Sequence, residues 1–314
     1  MSKASQFAAG AFALVLGATS AEAFEVGVIG FQFTSETHAR VANAAAAAAE
    51  AKGWDVALLN SEGSLPKHAE QFDALIAKGV DAIIVAMGKP VEADAQFLAA
   101  KEAGIPVITV QSGSSPHALL EIQSNEYQVG AAAALYLLGQ MGYQGNLLEC
   151  RFEMNIASRI RGKILDQVLS ENTGVNVAGS FAMARTKSWR DEVRSGMQAL
   201  LLQNQGEVDG IWASFDGQAY IIDDLLIAEG VKKGEIPLVS VDGGPETYRR
   251  IADPESTLLA SVSIPFEAMG VQAVDVINRV VAKGQPITDI SAGPYLFVDA
   301  VMVDQSNVAD FLPK

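Results

Sequence analysis

The chain is poor in the residues from which catalytic and metal centres are usually built. Its 314 residues include one cysteine, Cys150, and three histidines, His38, His68 and His117. A single thiol forms no intrachain disulfide, and a chain of this length can bury enough apolar surface to fold without one. Leu147 and Leu148 precede Cys150, which marks it as a buried strand position rather than a reactive thiol. No histidine has a second histidine or a cysteine at metal-ligand spacing, so no metal site is expected. Also missing are a G-x-S-x-G elbow, a Walker A loop, a G-x-G-x-x-G turn after a strand and an H-E-x-x-H helix. No catalytic residue and no cofactor is therefore expected.

Basic residues are scarce as well. Lysine and arginine number 22 against 37 aspartates and glutamates, a formal net charge of −15. Such a surface repels phosphate backbones and anionic headgroups at long range, so nucleic acid is not an expected partner; neutral or cationic solutes suit it better. Long apolar runs are lacking too. Residues 7–17 form an 11-residue apolar stretch, preceded by Lys3 and followed by Ala21-Glu22-Ala23. A positive start, a short apolar middle and a small-x-small end are the parts of a secretory signal, here 1–23, with the mature chain starting at Phe24. No later run reaches the ~20 apolar residues of a membrane span, and no cysteine follows Ala23 to carry a lipid. The expected product is exported and not membrane-spanning.

Short apolar runs alternate with longer helical segments through the remaining 291 residues, the pattern of parallel sheets covered by helices. The first half predicts strands at 26–31, 56–59, 82–86 and 107–110, and helices at 36–52, 69–78 and 93–103, stopped by Gly53, Gly79 and Gly104. After an apolar run at 119–122 the pattern restarts. It predicts helices at 127–141, 160–169, 189–202 and 220–229, with strands at 146–150, 175–181, 210–214 and 238–241. Two similar halves imply two doubly wound lobes. The alanine run 44–49 reads as a helix packed close to its sheet, since alanine is the best helix former and takes little room.

In open parallel sheets ligands bind beyond the carboxyl ends of the strands. The strand-to-helix loops there are 32–38, 87–89, 111–113, 151–161, 184–189, 215–217 and 242–244, which carry amides, hydroxyls, carboxylates, guanidinium groups and aromatic rings. That mixture suits a sugar: carboxylates accept from hydroxyls, arginine donates a fork, and ring faces cover C–H surface.

Several segments resemble the type I periplasmic binding proteins of ABC sugar importers, particularly the ribose-binding-protein-like group. They are Lys78-Gly79-Val80-Asp81-Ala82-Ile83-Ile84-Val85, Gly104-Ile105-Pro106-Val107-Ile108-Thr109, Arg161-Gly162, Trp212-Ala213-Ser214-Phe215-Asp216-Gly217 and Val239-Ser240-Val241-Asp242-Gly243. Order and spacing together carry the resemblance, which spans the mature chain. It implies an α/β protein of two doubly wound parallel-sheet lobes joined by a three-segment hinge, crossing near Gln123, Ser263 and Gly293. The N-terminal lobe would comprise 24–123 plus 264–293, and the C-terminal lobe 124–263 plus 294–314.

The resemblance further implies a periplasmic monomer that captures a small neutral sugar or polyol and delivers it to an ABC transporter permease. Arg161 matches the arginine that forks onto ligand oxygens, with Arg159 as its rival. Asp216, beside Phe215, and Asp242 match hydroxyl-gripping carboxylates; each also stands where a helix N-cap would. Trp189 stands near a stacking aromatic. Thr37 and His38 replace a common aromatic pair, Gln111 and Ser112 replace an Asp-Arg pair, and Ser263 replaces a hinge glutamine. Other readings of the same fold are a receptor presenting ligand to a chemotaxis or sensor protein, a periplasmic enzyme, and a transcription regulator. The last needs a basic helix-turn-helix ahead of the first strand, where this chain has its export signal.

Overall fold

A computed structural model describes residues 23–88, 93–184 and 186–312. The expected signal, apart from its last residue Ala23, lies outside the described residues, as do Lys89 and Arg185 of the candidate loops. Strand and helix alternate as β1 (Glu25–Gly30), α1 (Glu36–Glu50), β2 (Asp55–Asn60), α2 (Leu65–Lys78), β3 (Ala82–Ala86), α3 (Asp94–Glu102), β4 (Val107–Val110) and β5 (Leu120–Gln123). The pattern then repeats as α4 (Glu126–Gln140), β6 (Gly145–Arg151), α5 (Ile156–Glu171), β7 (Val175–Ala182), α6 (Trp189–Gln203), β8 (Gly210–Ala213), α7 (Asp216–Ala228) and β9 (Leu238–Asp242). Beyond the last strand resolved by sequence patterning come α8 (Pro245–Ala252), β10 (Leu258–Ser263), α9 (Phe266–Ile277), β11 (Tyr295–Phe297) and β12 (Val301–Asp304).

The described strands form two sheets, ordered β11-β5-β4-β3-β1-β2 and β12-β10-β9-β8-β6-β7. Central strands such as β3 (AIIVA) and β4 (VITV) are buried at every position, as strands covered on both faces must be. Pairing is parallel throughout the first sheet, whereas β12 runs antiparallel to β10 in the second. The reversal follows from the path: β10 runs toward the first lobe, and β12 returns from it. The chain passes between sheets after Gln123, after Ser263, and between Phe297 and Val301. That last passage falls beyond Gly293, because Tyr295–Phe297 still pairs with β5.

Two departures from the sequence patterning matter for the site. The alanine face of α1 packs against α9 as well as its sheet: a Cβ on Gly270 would stand 2.4 Å from the Val41 carbonyl oxygen and 3.0 Å from the Ala45 nitrogen. Alanine and glycine are what let the two helices approach so closely. The second departure is that α5 starts earlier than the expected 160–169, where the Asn155 side chain accepts the Ser158 N–H at 3.1 Å. Arg161 therefore sits in the second turn of the helix rather than at its start, on a buried face. Among the described residues no helix is long and apolar enough to cross a membrane.

Candidate ligand cleft between the two sheets

The turn that ends β4, the start of α4, the second turn of α5 and the end of β9 converge on one buried ionic cluster. Arg161, 3 % exposed, lies at its centre. Its Nε and Nη2 donate to the two oxygens of Glu126 at 2.6 and 3.1 Å, and its Nη1 donates to the Ser214 carbonyl at 3.0 Å and to Asp242 at 3.1 Å. Burial alone would lower the arginine pKa; the two carboxylates outweigh it and raise it. Gln111, in the left-handed region at φ 48°, donates its amide to Glu126 at 2.9 Å and accepts the Ser124 N–H at 3.1 Å. The chain Gln111–Glu126–Arg161–Asp242 thus runs from the first sheet to the second.

This geometry accounts for how Arg161 is held. Its fork grips Glu126, and four of the five guanidinium N–H groups are engaged within the protein. A buried guanidinium needs such partners, because an unpaired charge in the interior costs several kcal/mol. Through Nη1, Arg161 also holds Asp242. Arg159, its rival, donates Nη1 to the Glu153 carbonyl at 2.7 Å.

Asp216 is also turned inward. It accepts from the Ser240 hydroxyl, the Ser261 hydroxyl at 2.8 Å, the Gly243 N–H at 2.7 Å and the Thr247 hydroxyl at 2.5 Å. Burial raises its pKa and these four donors oppose that rise. It is the first residue of α7 and makes no N-cap hydrogen bond. Instead it fastens the turn after β9 through Gly243 and Thr247. Asp242 is partly exposed, with φ 132°. Its pKa is pushed up to about 7, chiefly by burial, with Arg161 opposing and Asp216 and Glu126 adding to the rise.

The remaining candidates fall into three groups. Phe215 and Trp189 stand 5.7 Å apart between ring centroids, and Phe152 adds a third ring 6.0 Å from Phe215. The Arg190 guanidinium covers Trp189 at 4.3 Å. Ser112 and Ser263 are engaged structurally. The Ser112 hydroxyl accepts the Gly88 N–H at 2.9 Å and faces the Val85 and Val110 carbonyls, while Ser263 meets the Tyr248 hydroxyl at 2.6 Å. Thr37 and His38 lie in the first turn of α1, where the Thr37 and Ser35 hydroxyls are 3.2 Å apart and the His38 ring is 6.4 Å from Phe31.

Beneath the 111–113 turn, buried Glu121 accepts the Ser112 and Gly113 N–H groups at 2.8 and 3.1 Å. Burial pushes its pKa up to about 7, against the Thr109 hydroxyl and the two amides. Glu121, Glu126 and Phe152 were not found by sequence reasoning. Glu126 carried one signal, an acidic residue directly after an asparagine N-cap at the first crossing, but that pattern is common to ordinary helix starts.

Two α/β sheets joined by three crossings around a cluster of hydroxyls, carboxylates and rings define a two-lobed binder. The periplasmic binding protein domain matches residues 26–286, and the chain belongs to that family. It is 26 % identical over 269 residues to the xylitol-binding protein of Mycolicibacterium smegmatis, covering 83 % of this chain and 72 % of that one. To the D-apiose import binding protein of Paraburkholderia graminis it is 25 % identical over 246 residues, 77 % of this chain and 76 % of that one. An ABC sugar transporter subunit from Rhodobacter sphaeroides shares the fold at a TM-score of 0.78 and 26 % identity, over 90 % of this chain and 98 % of that one. The family binds solutes for sugar-type ABC importers and is not a catalytic one.

Proposed function

We propose that the protein captures a small uncharged sugar or polyol between its lobes and delivers it to an ABC importer permease, after export directed by residues 1–23. The observation that carries this reading is the Gln111–Glu126–Arg161–Asp242 chain, which presents a partly exposed carboxylate acceptor, while the same Arg161 also binds the carbonyl of Ser214, next to Phe215 of the ring cluster Phe152, Phe215 and Trp189. Carboxylates held by buried cations accept hydroxyl donors well, and ring faces cover the C–H side of a sugar. The xylitol and D-apiose specificities in the names of two relatives support a hydroxylated guest of pentose or pentitol size.

Closure follows from contact with both lobes, since only a guest that binds the closed state better can shift the equilibrium. Thermal-shift screening of residues 24–314 against pentitols, pentoses, hexoses, inositols and furanoses tests the reading. A guest at 100-fold its Kd adds about 2.7 kcal/mol of apparent stability, so a true ligand stands out. No shift with any hydroxylated compound, together with a shift from a charged amino acid or peptide, would overturn it.

A further inference from the structure

We propose that Arg40 is an interlobe clamp: held in the first lobe by Glu267, it grips the 242–244 turn of the second lobe through the Gly243 carbonyl and so sets the position of Asp242 before any guest arrives. Arg40 lies on α1, and its Nε and Nη2 donate to the two Glu267 oxygens at 2.7 and 3.0 Å, a fork at the start of α9. The guanidinium also lies 5.2 Å from the centre of the Phe266 ring. Both partners belong to helices packed on the first sheet. The remaining arm, Nη1, crosses to the second lobe and donates to the Gly243 carbonyl at 2.6 Å.

The turn is shaped to receive it. Asp242, Gly243 and Gly244 take positive φ in succession, 132°, 73° and 144°. This conformation directs the Gly243 N–H inward to Asp216 at 2.7 Å while its carbonyl faces Arg40. The close fit excludes side chains: a Cβ on Gly244 would lie 2.9 Å from Arg40 Nη1 and 3.2 Å from Glu36 Oε1, and one on Gly243 would lie 2.3 Å from Ser263 Oγ. One residue before this turn's carbonyl stands Asp242. A carboxylate of one lobe and a guanidinium of the other therefore hold the two backbone groups of Gly243, its N–H and its carbonyl, and opening the lobes must break a charge-assisted hydrogen bond at a largely buried site. The inference goes beyond the sugar reading, because no guest takes part in it.

The test uses ligand-free protein and two spin labels, at Ala95→Cys near the start of α3 and Asp191→Cys near the start of α6, both exposed. Cys150 is buried and its thiol is pushed well above the ordinary range, so it does not compete for label. A clamp worth one charged hydrogen bond predicts that Arg40→Ala lowers the ratio of short to long interlobe distances roughly tenfold. Arg40→Lys, which keeps charge without the fork, should fall between the two, and all variants should melt cooperatively. Superimposable distance distributions for Arg40→Ala and the parent overturn the clamp. If Arg40→Ala fails to fold, the same criterion is applied to Arg40→Lys. A negative result would leave the sugar reading standing, and a failed ligand screen would leave the clamp standing.

Discussion

The two lobes hold their cleft-facing turns by the same device, a buried carboxylate, yet they complete it differently. In the second lobe Asp216 accepts four donors, three of them hydroxyls, and its neighbour Asp242 is oriented by Arg161. In the first, Glu121 accepts two backbone amides through one oxygen, with the Thr109 hydroxyl as its side-chain partner. The second lobe thus presents a pre-set ionic frame. The first presents Gln111 on a turn held chiefly by backbone amides. One turn held by an ionic frame facing another held by backbone amides gives the cleft pre-set walls, which limits the cost of ordering them around a guest.

Deleting the centre of the ionic frame should have the largest effect. Arg161→Ala leaves Glu126 and Asp242 without their cation in the interior, and breaking such a buried cluster costs about 3–5 kcal/mol. Chemical denaturation should show that loss, with binding lost as well. A variant as stable as the parent would mean that the frame is not rigid. Next comes Asp216→Ala, which strands the Gly243 N–H and three hydroxyls and should cost roughly 3 kcal/mol, since each unsatisfied buried group costs ~1–3 kcal/mol and the hydroxyls can partly re-pair. Its affinity for a confirmed sugar should fall with the stability, because the turn carrying Asp242 loses its tether.

Asp242→Asn sharpens the comparison without removing volume. Ionised Asp242 accepts a guest hydroxyl better than the protonated acid does. With a pKa near 7, the parent's affinity should therefore weaken as pH falls through about 7, while the variant's stays flat. Calorimetric titration on either side of neutrality reads this directly. An equally flat parent profile would remove Asp242 from the site.

The smallest effect is expected in the first lobe. The folded-state pKa of Glu121 is raised from an ordinary 4.5 to about 7, so the folded chain holds its proton more tightly than the unfolded one. The favourable contribution is complete below about 4.5 and is lost as pH climbs toward 7. Glu121→Gln should match the parent's Tm near the lower value and exceed it above neutrality. A gap that does not change with pH would show that Glu121 does not titrate in this range.

Much of the architecture was legible because parallel strands buried on both faces write themselves as continuous apolar runs such as Ala82-Ile83-Ile84-Val85-Ala86, and glycines mark the helix stops. Local sequence named the rings Phe215 and Trp189 and the carboxylate Asp242 as candidates, and the fold sets the two ring centroids 5.7 Å apart. Local sequence did not show how Arg161 and Asp216 are held, because their partners Glu126, Ser240, Thr247 and Ser261 lie between 24 and 45 residues away along the chain. Local spacing says what a side chain can bond to but not which distant donor reaches it first. For the same reason β12 was unread: its run is four residues long, and its direction depends on where the third crossing lets the chain re-enter the sheet.

By itself the sequence determined the alternation of strand and helix, two repeating halves and the acidic composition, all properties of composition and short-range periodicity. Only the tertiary structure decided which carboxylates face the cleft and which are turned inward as braces. That choice rests on which donors the fold brings within about 3 Å of each oxygen, and a buried charge settles wherever its partners are most complete.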